Sequence, residues 1–253
     1  MNIDSAFVKT NVDSRVATIT FYHPQGNSFP STQLTDLTQA LNELSNRSDV
    51  AVVVLQSHGN SAFCGGASFD ELLQVHDETT GKAFFSGFAN VINAMRKCKH
   101  PIVGRAQGKA VGGGVGLLAA CDYVFASEKA SIKLSELAIG IGPFVIEPAV
   151  SRKIGLNGFS AMTLQPNRWF DAPWALHAGL YQAIFADTNE LDLAVQEFAS
   201  SLSNYSPEAL QDIKRVLWQN TEHWDTLLYE RAAISGRLVL SEFTKKKLGE
   251  LKA

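Results

Sequence analysis

A chain of 253 residues, 45% hydrophobic and 19% charged, is long enough to bury a large core and too apolar to stay disordered. Its formal net charge of −3 offers nothing overall to a nucleic-acid backbone, and the only concentrated basic run, Lys245, Lys246 and Lys247, has the form of a solvated helix face. No apolar run approaches the ~20 residues of a membrane span, so neither nucleic acid nor membrane is an expected partner.

Three cysteines, Cys64, Cys98 and Cys121, are odd in number and lack CxxC or Cys/His ligand spacing, which implies a reducing compartment and no structural metal. The first nine residues show no basic segment followed by an apolar one, hence no secretion signal. The cytoplasm is the expected location.

In chain order, residues 7–10 and 15–21 read as a hairpin with Ala17, Ile19 and Phe21 on one face. A loop at 23–30 follows, and Ser31 is expected to cap a helix whose Leu34, Leu37, Leu41 and Leu44 form one stripe. Residues 50–55 are continuously apolar, as in a parallel strand covered on both faces. The segment after this strand, 57–72, holds a glycine turn among small residues. A helix over 81–97 is expected to turn Phe85, Phe88, Ile92 and Met95 inward. Strand, helix and strand recur at the rhythm of a parallel α/β arrangement.

The most informative stretch is 102–136, which reads as strand, glycine turn, short buried helix, second strand and then a single carboxylate, Glu136. Gly112, Gly113, Gly114 and Gly116 leave the backbone uncovered where a helix should begin. Free N–H groups at a buried helix start are aimed and poorly screened, which suits them to hold a developing anion. The plainer reading of such a cluster is close helix packing. Beyond Glu136, the loop to Pro148 is too apolar for a surface connection and is expected to line a pocket. Helices are expected at 151–164 and 172–179 and a short strand at 181–186. From 190 onward all is helix, including one capped by Ser206 with Pro207 in its first turn.

The residues 62–67, the triplet Gly112-Gly113-Gly114, the pair Cys121-Asp122, the run Leu134-Ser135-Glu136 and the loop Gly140-Ile141-Gly142-Pro143 together resemble the enoyl-CoA hydratase/isomerase (crotonase) superfamily. The resemblance runs from about Phe7 to the C-terminus. It implies an α/β fold, a crotonase-like spiral of ββα units over 1–189 that carries the acyl-CoA site, followed by a C-terminal helical trimerisation region at 190–253. A homotrimer or a dimer of trimers is implied with it. No separate cofactor is implied, since coenzyme A is part of the substrate.

By motif position, the resemblance places the thioester oxygen between the N–H groups of Ala67 and Gly113, where an enolate would be held. It puts Glu136 in the position of one of two glutamates used by the common hydratases. The other falls at Gly116, a departure from the two-carboxylate pattern. A single glutamate resembles the enoyl-CoA isomerases. It also resembles the bacterial methylglutaconyl-CoA hydratase group, which shares Gly-Leu after the turn, Leu-Ser-Glu and an Ile-Gly-x-x-Pro loop and is the nearer in wording. Candidate substrate contacts are Gln25, Asn27, Gly65, Gly66, Ala67, Ser68, Phe69, Gly112, Gly113, Gly116, Pro143 and Phe144. Relatives often carry basic residues where this chain has Gln25 and Asp70, which leaves Lys245 and Lys246, reaching a neighbouring subunit, as candidates for the CoA phosphates.

The expected activity is addition of water to an α,β-unsaturated acyl-CoA, with 3-methylglutaconyl-CoA among the candidates and double-bond migration as the alternative. Glu136 would take a proton from water and return it to the α-carbon. Leu134, Leu137, Ile139 and Phe144 flank it in sequence, so its pKa is expected to be raised. Glu147 is the nearest candidate for an additional acid, against a role capping the helix at Pro148. Readings from other classes are a serine hydrolase built on Gly66-Ala67-Ser68-Phe69-Asp70, in which Asp70 replaces the closing glycine, a Cys64 nucleophile, and a non-catalytic acyl-CoA-binding or RNA-contacting relative. Gly112-x-Gly114-x-x-Leu117 lacks the third glycine of a dinucleotide fingerprint. The six histidines show no evident role, and the four tryptophans read as core or interface residues.

Overall fold

Strand β1 (Phe7–Asp13) and strand β2 (Val16–Tyr22) form the hairpin, and helix α1 (Ser31–Ser45) leads to β3 (Val52–Ser57). A short turn of helix, α2 (Phe69–Leu72), precedes the long α3 (Glu78–Lys97) and β4 (Ile102–Ala106). Then come β5 (Ala110–Val111), α4 (Gly113–Ala120), β6 (Tyr123–Ser127), β7 (Ser131–Lys133) and a 3-10 turn at Glu136–Ile139. The chain closes with α5 (Glu147–Thr163), β8 (Phe170–Asp171), α6 (Ala172–Ala178), β9 (Ala183–Phe185), α7 (Thr188–Ser203), α8 (Pro207–Leu217), α9 (Trp224–Leu238) and α10 (Glu242–Lys252). This computed structural model describes residues 5–252; the first four residues, part of the segment read for a secretion signal, lie outside them.

One sheet has the order β1-β2-β3-β4-β6-β9, antiparallel only between β1 and β2. A smaller sheet, β5-β7-β8, stands beside it. Alternation in β2 works as the pattern dictates: Ala17, Ile19 and Phe21 are buried against Leu34, Leu37 and Leu41 of α1 in the main core. The opposite face of the large sheet, with Val52, Val54, Val103 and Phe125, is closed by Leu191, Val195 and Ala199 of α7. Both faces are therefore covered, which is why the apolar run at 50–55 that leads into β3 is tolerated.

Helix boundaries differ where side chains supply caps that periodicity does not register. Pro30, not Ser31, is the residue before α1; Ser31 instead donates its N–H and hydroxyl to Glu71 at 2.9 and 2.5 Å. Helix α3 starts three residues before the expected Gly81, because Asp77 and Thr80 form a reciprocal capping box. The helix expected from 151 begins at Glu147 and is broken in direction at Gly155, whose φ is 69°.

Two close contacts are among those that bind the C-terminal helices to the rest. Gly81 of α3 and Gly236 of α9 cross so closely that a Cβ on Gly81 would lie 2.7 Å from the Gly236 Cα. Asp122 is the second: its Oδ1 accepts the Trp218 indole N–H at 2.6 Å, and its Oδ2 accepts the Ile102 N–H at 2.7 Å and Lys214 Nζ at 2.6 Å. Its carbonyl accepts Lys153 Nζ at 3.0 Å. Trp218, Trp224, Leu228 and Ala232 share the core cluster of the strands, so one core runs across the 189/190 division.

Candidate active site

The parallel strands β3 and β4 end on the same side of the sheet, where the loops that follow them meet. Asn27 braces the first loop: its side chain accepts the His23 N–H at 3.0 Å and donates to the Ala62 carbonyl at 2.8 Å. Cys64 and Ala110 then pair as a short parallel bridge, with the Val111 N–H on the Cys64 carbonyl at 2.9 Å. Ala67 pairs likewise with Phe29: Phe29 donates to the Gly66 carbonyl at 2.8 Å, and Ser68 donates to the Phe29 carbonyl at 3.0 Å. In a parallel ladder this engages the neighbours of Ala67 and turns its own N–H to the other side. That N–H finds no acceptor among the described residues.

On that other side lies the second glycine turn. Gly66, at φ 93°, comes so near that a Cβ on it would be 3.1 Å from the Val111 carbonyl and 3.9 Å from the Gly113 nitrogen. Gly112 adopts φ 51° and ψ −116°, a conformation costly for any residue with a Cβ, and donates to the Lys133 carbonyl of β7 at 2.9 Å. Gly113 is the first residue of α4, so its N–H has no partner within the helix, and it finds none elsewhere among the described residues. Two unpaired main-chain donors thus face one cavity.

Glu136 reaches the same place because β7 pairs with β5 and delivers the chain beside the turn. A Cβ on Gly112 would sit 2.7 Å from Glu136 Oε1, so the carboxyl lies directly over this glycine, one residue from the free Gly113 N–H. The cavity measures about 230 Å³. Its apolar wall includes Phe84, Phe85 and Phe88 of α3 and Ile139, Ile141 and Ile146.

The residue Glu136 is half-buried, but its Oε2 is closed off from solvent and has no hydrogen-bond partner. Burial pushes its carboxyl up to about 7, against a weaker downward pull from the N–H groups of Glu136 and Ser135. Near neutral pH this group is therefore populated both as acid and as base, the condition for moving a proton in either direction. The neighbours that do this are not all those adjacent in sequence: Leu137 is 42% exposed, and α3 supplies the aromatic wall.

Of the residues singled out from sequence, Gly65, Gly66, Ala67, Phe69, Gly112, Gly113, Glu136, Pro143 and Phe144 line this cavity. Others do not. Gln25 is drawn to Asp70 at 3.1 Å on the surface, and Asn27 supports the loop from behind. Ser68 is buried and its hydroxyl caps α2 by accepting the Glu71 N–H at 3.3 Å, which removes the nucleophile of the hydrolase reading. Gly116 is covered: a Cβ there would lie 2.4 Å from Ile146 Cγ2. Glu147 accepts from the Ser151 hydroxyl at 2.8 Å and faces Arg231 at 3.7 Å, in a separate depression with Arg152 and Trp224; it adds no second acid to the cavity. Lys245 and Lys246 are exposed on α10, Lys245 with Glu242 at 3.7 Å. The Cys64 thiol is buried and pushed up to about 12, an inert state for a nucleophile.

Phe84, Leu72, Ile146 and Ser235 line the cavity without having been singled out from sequence. The adjacent phenylalanines Phe84 and Phe85 were the available signal, since together they widen the apolar face of α3 beyond the stripe of Phe88, Ile92 and Met95.

The sequence model of the family described as "Enoyl-CoA hydratase/isomerase" matches residues 11–248. The peroxisomal Delta(3,5)-Delta(2,4)-dienoyl-CoA isomerase of Arabidopsis thaliana is 27% identical over 231 residues, covering 85% of this chain and 81% of that protein. The short-chain-enoyl-CoA hydratase of Clostridium acetobutylicum is 26% identical over 207 residues, covering 81% and 78%. In fold, the crystal structure of enoyl-CoA hydratase from Bacillus halodurans superposes with a TM-score of 0.90 at 22% identity, covering 96% of this chain and 99% of that one. The crotonase-like α/β architecture is shared from end to end, and with the match spanning nearly all described residues the chain belongs to the enoyl-CoA hydratase/isomerase family of enzymes.

Proposed function

We propose that this protein hydrates an α,β-unsaturated acyl-CoA with Glu136 as its only proton-transferring side chain. The observation that carries the reading is the Glu136 carboxyl seated over Gly112, beside the unpaired Gly113 N–H and across from that of Ala67. The thioester oxygen accepts from these two amides. Ionised Glu136 takes a proton from water as the hydroxide adds to the β-carbon, and the electron pair of the double bond moves to the thioester oxygen as an enolate. Protonated Glu136 then returns the proton to the α-carbon, leaving one water added across the bond. Each preorganised donor of this kind is typically worth ~10² to 10³ in rate.

A second reading is favoured by one contact. Ile146 covers Gly116, the position of the missing carboxylate, and a lone base in an apolar cavity also suits double-bond migration, in which it removes a proton from one carbon and delivers it to another. Product mass after incubation with crotonyl-CoA and with a 3-enoyl-CoA separates the two: hydration adds one water, migration adds none.

Two further parts of the reading concern the assembly. Trimers, single or paired, are proposed through the C-terminal helices, with Lys245 and Lys246 meeting the CoA phosphates of a neighbouring subunit; light scattering and the effect of Lys246→Glu on acyl-CoA affinity test these. A cytoplasmic location is part of the same proposal. Among the described residues no helix is long and apolar enough to cross a membrane.

A further inference from the structure

The wall of the cavity beside Glu136 bears on which acyl group it takes, an inference that rests on the acyl-CoA reading above. Among the described residues its polar side chains are Ser135, Glu136 and Ser235; all others are apolar or glycine, and no lysine, arginine or histidine reaches it. Ser235 comes from α9, more than one hundred residues from the glycine turns, and the close crossing of Gly81 and Gly236 sets it there. It is 1% exposed and forms part of the cavity lining.

An acyl group that ends in a carboxylate would bring an ion into this space without a counter-charge, which is strongly unfavourable, and would place it near the carboxyl of Glu136, a like charge. An uncharged acyl group meets neither obstacle. Selectivity can arise from such a built-in penalty as readily as from an attractive contact.

We infer that the site selects uncharged acyl groups and rejects those ending in a carboxylate, the 3-methylglutaconyl group included, and that Ser235 is the position from which this selectivity can be reset. The hydroxyl is compatible with an apolar chain or a neutral polar atom, and it is the point on the wall where a cation would stand opposite a terminal carboxylate.

Calorimetric titration of the full chain with pentanoyl-CoA and glutaryl-CoA tests this, because neither has a double bond to react and they differ only at the chain end. Pentanoyl-CoA is expected to bind at least tenfold more tightly. Equal affinity, or tighter binding of glutaryl-CoA, overturns the selectivity while leaving the acyl-CoA site in place; no binding of either overturns the acyl-CoA reading itself. Ser235→Lys is expected to shift the affinity ratio at least tenfold toward glutaryl-CoA, with folding checked by circular dichroism. If the lysine variant does not fold, Ser235→Asp, close to serine in size, is expected to widen the original ratio at least threefold. An unchanged ratio in the folded variant removes Ser235 from the inference.

Discussion

Asp122 and Glu136 are both carboxylates withdrawn from water, and they lie on either side of the same glycine-led helix, but the structure treats them oppositely. The Asp122 side chain is 6% exposed and is surrounded by donors: the Trp218 indole, the Ile102 N–H and Lys214. Lys214 itself is only 3% exposed. Glu136 has a solvent-free Oε2 that nothing meets. A buried acid with both oxygens engaged holds segments together, whereas one with an oxygen left unmet is placed to exchange a proton. The contrast separates a residue that secures the C-terminal helices from one that is placed to react, although both are acidic residues close to the glycine turn in sequence.

If Asp122 is structural, its removal should be felt in stability and not in chemistry. Asp122→Ala strands the buried Lys214 ammonium and the Trp218 N–H, and is expected to lower unfolding free energy by about 4 kcal/mol, measured by urea denaturation. A loss under about 1 kcal/mol would contradict the role assigned to it. Glu136→Gln should behave conversely, with turnover of crotonyl-CoA reduced ~10³-fold and affinity for an unreactive acyl-CoA changed less than threefold by calorimetry. Unchanged turnover would remove Glu136 from the mechanism.

The same substitution should also affect stability, with a definite sign. The folded-state pKa of Glu136 is raised to about 7, so between its ordinary value and 7 the folded protein holds a proton that the unfolded chain has released. Stability therefore falls as pH rises through that interval and stays reduced above it. Glu136→Gln, which cannot ionise, is expected to match the parent near pH 4.5 and to exceed it by about 3 kcal/mol at most above pH 7, read from urea melts at both pH values. A gap independent of pH would mean that the carboxyl is not shifted. The smallest expected effect is in the rate itself: with ionised Glu136 as the base, initial rate should drop about twofold at pH 7 relative to pH 8.5 and tenfold per unit well below 7. A flat profile from pH 5.5 to 8.5 would break the link between this group and the reaction.

Much of the site was legible because its parts announce themselves locally. Glycines at 65–66 and 112–113 mark turns where the main chain must come close, and Glu136 is the lone acid between β7 and α5. What escaped was long-range. Ser68 looked like part of a nucleophile motif, yet three residues later Glu71 completes a helix start, and the hydroxyl is used there. Ser235 reaches the cavity only through the contact of two glycines 155 residues apart, Gly81 and Gly236, which no periodicity in either helix encodes. The stripe reading turns Phe85 to the core and leaves Phe84 out, but α3 has two apolar sides, one turned to the strands and one to the cavity, and both phenylalanines line the cavity. The distinction between a satisfied Asp122 and an unsatisfied Glu136 likewise depends on Lys214 and Trp218, some ninety residues away.

The side chain of Ile146 pressed onto Gly116 limits what the helix can carry at that point. A Cβ on Gly116 would meet Ile146 Cγ2 at 2.4 Å, so Gly116→Glu alone would drive the new group into its neighbour. An engineered second acid at this position should therefore be introduced together with Ile146→Ala, which opens the room it needs.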